Sequence, residues 1–481
     1  VQTTERPAFA RREVGAVAAV LGLTLLVFSG RYGYHRDELY FLAAGHHPAW
    51  GYPDQPPLVP LLARLADIVA PGSLIALRLP STLAATTVVL LAGLTARDLG
   101  ARRNGQVVAA TTTAMCGFVL GTGHLLSTST FALLGGTAVV ALLVRILAGS
   151  AGIRSWLALG LLAGVTSEFN ILVLALVAAV GVAVALVGPR HWFREPGPYL
   201  AVLVALVLAA PYLLWQADHG WPQSEIADNI ANGGSGSSQS RIAFLPMVIL
   251  QAGPWLAPLW LTGLFRLLRD RTLRCLPVAF LVLTVLVLVA GGKPYYLSGF
   301  LPLFLAAGAQ PFVDRARTWV VPALLVLSTP VLVFVLPLLP AKDAQVAVDV
   351  NYDAGETIGW PAYVDQIAAA YHRLPAGTAI LTDNYGEAGA VDRFGPDLGL
   401  PAAHSGHNGF GRWGPPPRSA PVLAVGLDRA TLARSCTSVQ RLGRLHEVHG
   451  IDNDEDGAPL FFCAAPVEPW SRLWSRFVFL G

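Results

Sequence analysis

Apolar stretches of close to twenty residues recur from residue 13 to about residue 336, and they decide what this chain can fold into. Crossing ~30 Å of hydrocarbon takes ~20 helical residues, because lipid offers no partner for an unpaired backbone N–H or C=O. The chain is 54% hydrophobic and 13% charged, about half the charge of an average soluble domain. These features predict an α-helical polytopic membrane protein. Residues 13–29 carry no Lys or Arg and lead through Ser29-Gly30 into further spans, so they read as a retained first helix and not as a cleaved leader.

Basic residues cluster at Arg6/Arg11/Arg12, Arg97/Arg102/Arg103, Arg145/Arg154, Arg190/Arg194, Arg266/Arg269/Arg271/Arg274 and Arg315/Arg317. Placing each cluster on the cytoplasmic side predicts about eleven transmembrane helices, at 13–29, 73–96, 106–124, 127–144, 155–166, 169–187, 198–215, 242–265, 275–290, 295–312 and 318–336. The stretch 155–187 reads in two ways. A single long tilted helix throws the Arg190 and Arg266 clusters outside. A hairpin, or a broken re-entrant pair, turning at Thr166-Ser167-Glu168-Phe169-Asn170 repairs every loop. It also lifts Glu168 from the hydrocarbon centre, where an acid costs roughly 2.5–3.5 kcal/mol. Eleven spans put the amino terminus in the cytoplasm and the carboxyl terminus outside.

On that map the polar, non-basic positions collect in outward loops: Asp37, Glu38, Asp54, His124, Glu168, Asp218, His219 and Lys293. Any one of them is explained by solvation alone. The first outer loop, 31–72, is denser: Tyr34-His35-Arg36-Asp37-Glu38-Leu39-Tyr40 is followed by Gly51-Tyr52-Pro53-Asp54-Gln55-Pro56-Pro57-Leu58, with Trp50 beside them. Three carboxylates among aromatics suggest chemistry at the membrane surface, although an aromatic belt and a helix-capping Asp-Glu pair are the plainer readings. From Pro56 to Val69 the chain is too short to span and carries Arg64 and Asp67, which fits an amphipathic helix lying in the interface.

After residue 340 the composition becomes soluble. The chain therefore divides into a transmembrane domain, 1–340, and a carboxyl-terminal extracytoplasmic α/β domain, 341–481, in which GETIGWPAYVDQIAAAYHRL reads as helix and TAILTDNY, PVLAVGL and PLFFCAA as strands. Cys116 and Cys275 lie in spans and read as apolar packing. Cys436 and Cys463 both fall in the outer domain, where an oxidising compartment leaves a disulfide and free thiols as the two options. The chain has no CxxC, HExxH, Walker or dinucleotide fingerprint. Gly233 to Ser238 reads as a loop tip, and no internal repeat points to a two-halved transporter.

The Asp-Glu loop, the Gly-Tyr-x-Asp-x-Pro-Pro-Leu motif, the interfacial helix and an Arg in the next span together resemble the protein O-mannosyltransferase-like, RgtA/B/C/D-like bacterial branch of the GT-C glycosyltransferases. Gly292-Lys293-Pro294-Tyr295-Tyr296-Leu297 followed by Pro302 resembles its second motif. Asn384-Tyr385-Gly386-Glu387-Ala388-Gly389, Ser405-Gly406-His407-Asn408 and Trp413-Gly414-Pro415-Pro416 resemble the outer domain of bacterial members.

That resemblance implies a GT-C-like fold and inverting transfer of a sugar from a polyprenyl-phosphate donor to a glycan, lipid or protein acceptor of the cell envelope, at the outer face of a bacterial cytoplasmic membrane. It implies no nucleic acid and no required cofactor, since the donor carries its own leaving group. Asp37 is the implied general base, a role that contributes ~10²–10⁴-fold. Glu38 would orient the acceptor or tune Asp37. Arg78 and Lys293 are the cations for the donor phosphate. Tyr52, Asp54, Glu168, Tyr295 and Tyr296 are candidate substrate contacts. Two departures stand out: Gln55 occupies a position where related lipid A aminoarabinose transferases carry a lysine, and Glu168 lies where many relatives have a Lys-Tyr or Asn-Lys pair. No metal-ligand set has characteristic spacing, with His46, His47 and Asp54 the nearest to one. The competing readings are a transporter or flippase, with Arg78 and Glu168 on the substrate path, and a non-catalytic envelope assembly protein. The sequence does not fix the sugar, the acceptor or the oligomeric state.

Overall fold

The computed structural model describes residues 7–233 and 240–481; Arg6 and the Gly-Ser run from residue 234 onward lie outside the described residues. Every apolar segment read from the sequence is helical. In chain order the helices are α1 (Arg11–Phe28), α2 (Arg36–His46), α3 (Leu58–Val69), α4 (Leu74–Asp98), α5 (Arg103–Ala114), α6 (Gly117–His124), α7 (Thr128–Leu147), α8 (Ile153–Ser167), α9 (Leu172–Val187) and α10 (Pro196–Asp218). They continue with α11 (Pro222–Ala231), α12 (Phe244–Ala252), α13 (Ala257–Arg269), α14 (Cys275–Val289), α15 (Leu301–Arg315), α16 (Val320–Ser328) and α17 (Pro330–Val335).

Fewer of these than eleven are full-length crossings. Among the described residues, α4, α7, α10 and Pro294–Arg315 are long and apolar enough to cross a membrane, or six stretches if each of two bent pairs is one span. The segments expected as straight spans at 106–124 and 242–265 are those bent pairs. The first bends by 57° between α5 and α6. The second bends by 82°, next to Gly253 at φ +95°, with Pro254 following it. Glycine adopts that positive φ without a Cβ clash, and proline cannot donate to the preceding turn. α8, α9, α14 and Val320–Val335 are apolar but shorter.

The stretch 155–187 is a hairpin. Trp156, near the start of α8, meets Trp192, which lies beyond the end of α9, edge to face at 4.8 Å. A Cβ on Gly197, at the start of α10, would strike the same indole. The chain has therefore come back to the level from which α8 set out.

Charge segregates along the bundle as the sequence suggests. At one end Arg103 pairs with Glu13, Arg102 with Asp314 at 2.5 Å and Arg145 with Asp98 at 2.5 Å, and Arg266 donates to the carbonyls of Leu99 and Ala307. The other end carries Ser29, Arg78 and His124, together with the first loop. α3 buries Val59, Ala63 and Ala66 and leaves Leu61, Leu65 and Ile68 exposed, an apolar outer face that suits an interfacial helix.

Beyond the helical bundle a five-stranded mixed sheet forms from β1 (Ala379–Thr382), β2 (Ala403–Ser405), β3 (Val422–Val425), β4 (Val439–Arg444) and β5 (Pro459–Cys463), in the order β2-β1-β3-β5-β4. β1 runs parallel to β2 and β3, and β5 runs antiparallel to β3 and β4. The expected strands are β1, β3 and β5, and the expected helix is Trp360–Tyr371. β2 has three residues and β4 is an exposed edge carrying two arginines, so neither offers the alternation that marks a strand. Cys436 and Cys463 form a disulfide, with Cα atoms 5.7 Å apart. Leu39 and Tyr40 of α2 share one apolar core with Ile380, Leu423 and Leu460 of the sheet.

Candidate active site

α2 begins where a helix N-terminus forms readily. The His35 imidazole accepts from the Asp37 N–H at 3.1 Å, and the Glu38 carboxylate accepts from the His35 N–H at 2.9 Å. Such reciprocal capping satisfies two donors that a helix start otherwise leaves unpaired. It also separates the fates of the two adjacent acids.

Glu38 is fully buried. Its carboxylate accepts from Arg78 Nε at 2.9 Å and from Nη2 at 2.7 Å, and from the Leu126 N–H at 2.9 Å. Arg78, likewise fully buried, also donates to the Ser29 carbonyl at 2.7 Å and to the Gly33 carbonyl at 2.6 Å, and it meets His124 at 3.5 Å. This bidentate pair ties the end of α1, the first loop, α4 and the start of α7 together. Arg78 does not face a phosphate in this arrangement, and the capping reading holds for Glu38 but not for Asp37.

Asp37 points the other way. Its side chain is 41% exposed. Oδ1 accepts from the Tyr385 hydroxyl at 2.8 Å, while Oδ2 lies 3.9 Å from His35 Nδ1. Tyr385 belongs to the carboxyl-terminal unit, on the helix Tyr385–Phe394, which Asn384 caps through the Glu387 N–H at 2.9 Å. That helix lies close on α2, where a Cβ on Gly389 would come within 2.9 Å of the Leu39 backbone. Arg36, next to Asp37, packs over the Tyr385 ring at 5.2 Å and pairs with Glu356 at 3.1 Å and Asp454 at 3.0 Å. Glu356 and Glu455 are both buried beside it, and burial pushes both carboxyls upward.

Asp54 is brought near Asp37, as the sequence suggests, through two tyrosines. The Tyr40 hydroxyl donates to Asp54 at 2.7 Å and accepts from the Gly409 N–H at 3.1 Å, and the Tyr40 and Tyr385 rings are 4.9 Å apart. Burial pushes the Asp54 carboxyl up to about 7. Tyr52 departs from its expected role. It is 3% exposed, and its hydroxyl donates to the carbonyls of Ala44 and His47, so it pins the loop from within. Gln216 holds the same loop through the Tyr52 carbonyl at 3.1 Å.

Glu168 sits in the turn between α8 and α9, where its carbonyl accepts from Leu58 at 3.1 Å. Its buried Oε1 has no partner among the described residues, and burial raises the carboxyl to about 7. Gln55 is buried, with neither side-chain polar atom partnered among the described residues. Lys293 lies 5.8 Å from the centroid of the Tyr295 ring and pairs with no carboxylate among the described residues. Tyr295 and Tyr296 meet edge to face at 5.0 Å and line a groove with Ser129, Asn170 and Gly299. Tyr295 is within electrostatic reach of Asp37 and Asp353. His46, His47 and Asp54 do not converge: His46 lies beside Arg64 and Asp67, His47 stacks on Trp413 at 4.3 Å, and Asp54 takes the Tyr40 hydroxyl. Among the described residues no three His, Cys, Asp or Glu side chains gather as metal ligands do.

The helical bundle with a small mixed sheet packed on α2 is a GT-C, ArnT-like fold. The structure of ArnT from Cupriavidus metallidurans in the apo state superposes with a TM-score of 0.62 at 13% identity, covering 93% of this chain and 97% of that one. ArnT from the same organism bound to undecaprenyl phosphate gives a TM-score of 0.57 at 15% identity over the same shares. Residues 54–215 match the sequence model of the family described as dolichyl-phosphate-mannose-protein mannosyltransferase. No curated protein sequence matches the chain. The resemblance to the mannosyltransferase-like GT-C membrane proteins is thus borne out.

Proposed function

We propose that this chain is an inverting glycosyltransferase that moves a sugar from a polyprenyl-phosphate carrier to a cell-envelope acceptor at the outer face of the membrane. The observation that carries this reading is the contrast within the Asp37-Glu38 pair. Glu38 is sealed against Arg78, whereas Asp37 keeps one oxygen free at the mouth of the bundle with the other fixed by Tyr385.

In this scheme the acceptor oxygen attacks the anomeric carbon opposite the phosphate. The new C–O bond forms as the bond from that carbon to the phosphate oxygen breaks. The acceptor proton passes to Asp37 Oδ2, and the electron pair leaves on the carrier phosphate. A base of this kind contributes ~10²–10⁴-fold. Lys293 supplies the cation for the departing phosphate, and Arg78 serves as a positioning residue through Glu38. Tyr295 and Tyr296 line the approach, and Asp54 and Glu168 meet sugar hydroxyls. The undecaprenyl phosphate bound to ArnT supports a lipid phosphate as carrier, and the family matched by residues 54–215 supports sugar transfer from such a carrier, hexosyl or pentosyl.

The test is transfer of radiolabelled sugar from a panel of polyprenyl-phosphate sugars into envelope extract, by the purified protein and by Asp37→Asn. Label incorporated by the parent protein and lost in a folded variant is the expected result. Undiminished incorporation by the variant removes Asp37 as base. Solute flux without a covalent product supports a transporter instead.

A further inference from the structure

The two faces of the carboxyl-terminal sheet have different neighbours. Ile380, Leu423 and Leu460 face the helical bundle through Leu39 and Tyr40. Leu381, Val422 and Phe461 lie on the opposite face, covered by Leu432, Trp470 and Leu473. Exposed arginines collect on this second layer. Arg429 and Arg434 lie on and just after the short helix Arg429–Ala433, and Arg472 and Arg476 flank the buried Leu473 and Trp474. Arg441 on β4 is paired in register with Phe461 and so projects from the same face.

These side chains are held on a firm scaffold. Arg476 donates to the Arg434 carbonyl at 3.1 Å, and the Cys436–Cys463 disulfide joins the segment after Arg434 to β5. Two carboxylates lie beside them: Asp428 accepts from the Ala430 and Thr431 N–H groups at 2.8 and 2.9 Å and is within electrostatic reach of Arg434, and Glu468 lies 3.8 Å from Arg472. Arg429 and Arg441 have no side-chain partner among the described residues.

Five cationic side chains against two carboxylates leave the face positive and suited to an anion that reaches several of them. All five are arginine, whose planar fork meets carboxylate or phosphate through two parallel hydrogen bonds. The face is turned away from the bundle, so lipid headgroups are not its natural partner. We infer that this face binds a polyanionic glycan, a polymer carrying carboxylate or phosphate groups along its length. This surface stands apart from the proposed chemistry at Asp37 and does not depend on it.

The test uses full-length protein in nanodiscs of zwitterionic lipid, with fluorescent polygalacturonate, its fully methyl-esterified neutral form, and polyphosphate as probes. The expected result is binding of a charged polymer that weakens as salt rises, no binding of the esterified form, and at least tenfold weaker binding by Arg429→Gln/Arg441→Gln. That pair makes no side-chain hydrogen bond or ion pair among the described residues, so thermal unfolding should match the parent protein. Preference between polygalacturonate and polyphosphate identifies the anion. Equal affinity of the variant, binding of the neutral polymer, or binding only to anionic vesicles overturns the inference.

Discussion

The Tyr385 hydroxyl donates to Asp37 Oδ1 at 2.8 Å across 348 residues of chain. This hydrogen bond fixes the orientation of a partly exposed carboxylate whose other oxygen has only His35, 3.9 Å away, beside it among the described residues. Tyr385→Phe keeps the ring that stacks near Tyr40 and removes only the donor. On the proposed scheme it lowers kcat about tenfold with little change in KM for the donor, because orientation is realised at the reacting centre. Steady-state transfer kinetics with Tyr385→Phe and Asp37→Asn measure this, and a parental kcat in Tyr385→Phe would show the contact to be incidental.

Glu38 and Arg78 should behave as one unit. Removing either partner leaves an uncompensated charge in a site without solvent, typically costing about 3–5 kcal/mol. Glu38→Gln and Arg78→Met are therefore each expected to lower the thermal unfolding temperature sharply. The double variant Glu38→Gln/Arg78→Met should be more stable than the two losses added together predict. Strictly additive losses would mean that the pair is not coupled.

Lys293 is the cation left without a carboxylate near the Tyr295–Tyr296 groove. Lys293→Ala should raise the KM for donor at least tenfold and weaken competition by polyprenyl phosphate, without a large change in unfolding temperature. Unchanged competition would take Lys293 out of phosphate binding.

Asp54 gives a pH dependence whose sign follows from its surroundings. Burial raises its carboxyl from the ordinary 3.8 to about 7. Between those values the folded chain holds the proton that the unfolded chain has released. The folded state thus binds more protons, and stability falls as pH rises through the window. Unfolding temperature should drop between about pH 4 and about pH 7, and Asp54→Asn, which cannot ionise, should drop less. Equal slopes would place the titration elsewhere.

The hairpin at Glu168 was the one of two open readings that the distribution of arginines favoured, and the helical nature of the bundle was legible because apolar composition is a local property. The bends at Met115-Cys116 and Gly253-Pro254 were not, since a broken span and a straight one have the same hydropathy. At the site, the sequence brought forward Asp37, Glu38, Arg78 and Lys293 but could not divide their roles. Whether a guanidinium faces a ligand or a carboxylate depends on contacts such as Arg78 with Glu38, forty residues apart. Tyr52 shows the same limit: an aromatic in a polar loop reads alike whether it touches substrate or staples the loop. Tyr385 lay within a recognised motif, yet nothing local to it pointed to Asp37.

The close fit of Gly389 on Leu39 bears on how the molecule is made. A ribosome delivers α2 before the helix Tyr385–Phe394, so Asp37 waits while the 348 residues up to Tyr385 are made. A nascent or truncated chain holding only the bundle would have the loop and its acids but not their completed geometry. The carboxyl-terminal unit thus acts as a timing device, holding back the Asp37–Tyr385 contact until both segments have been made.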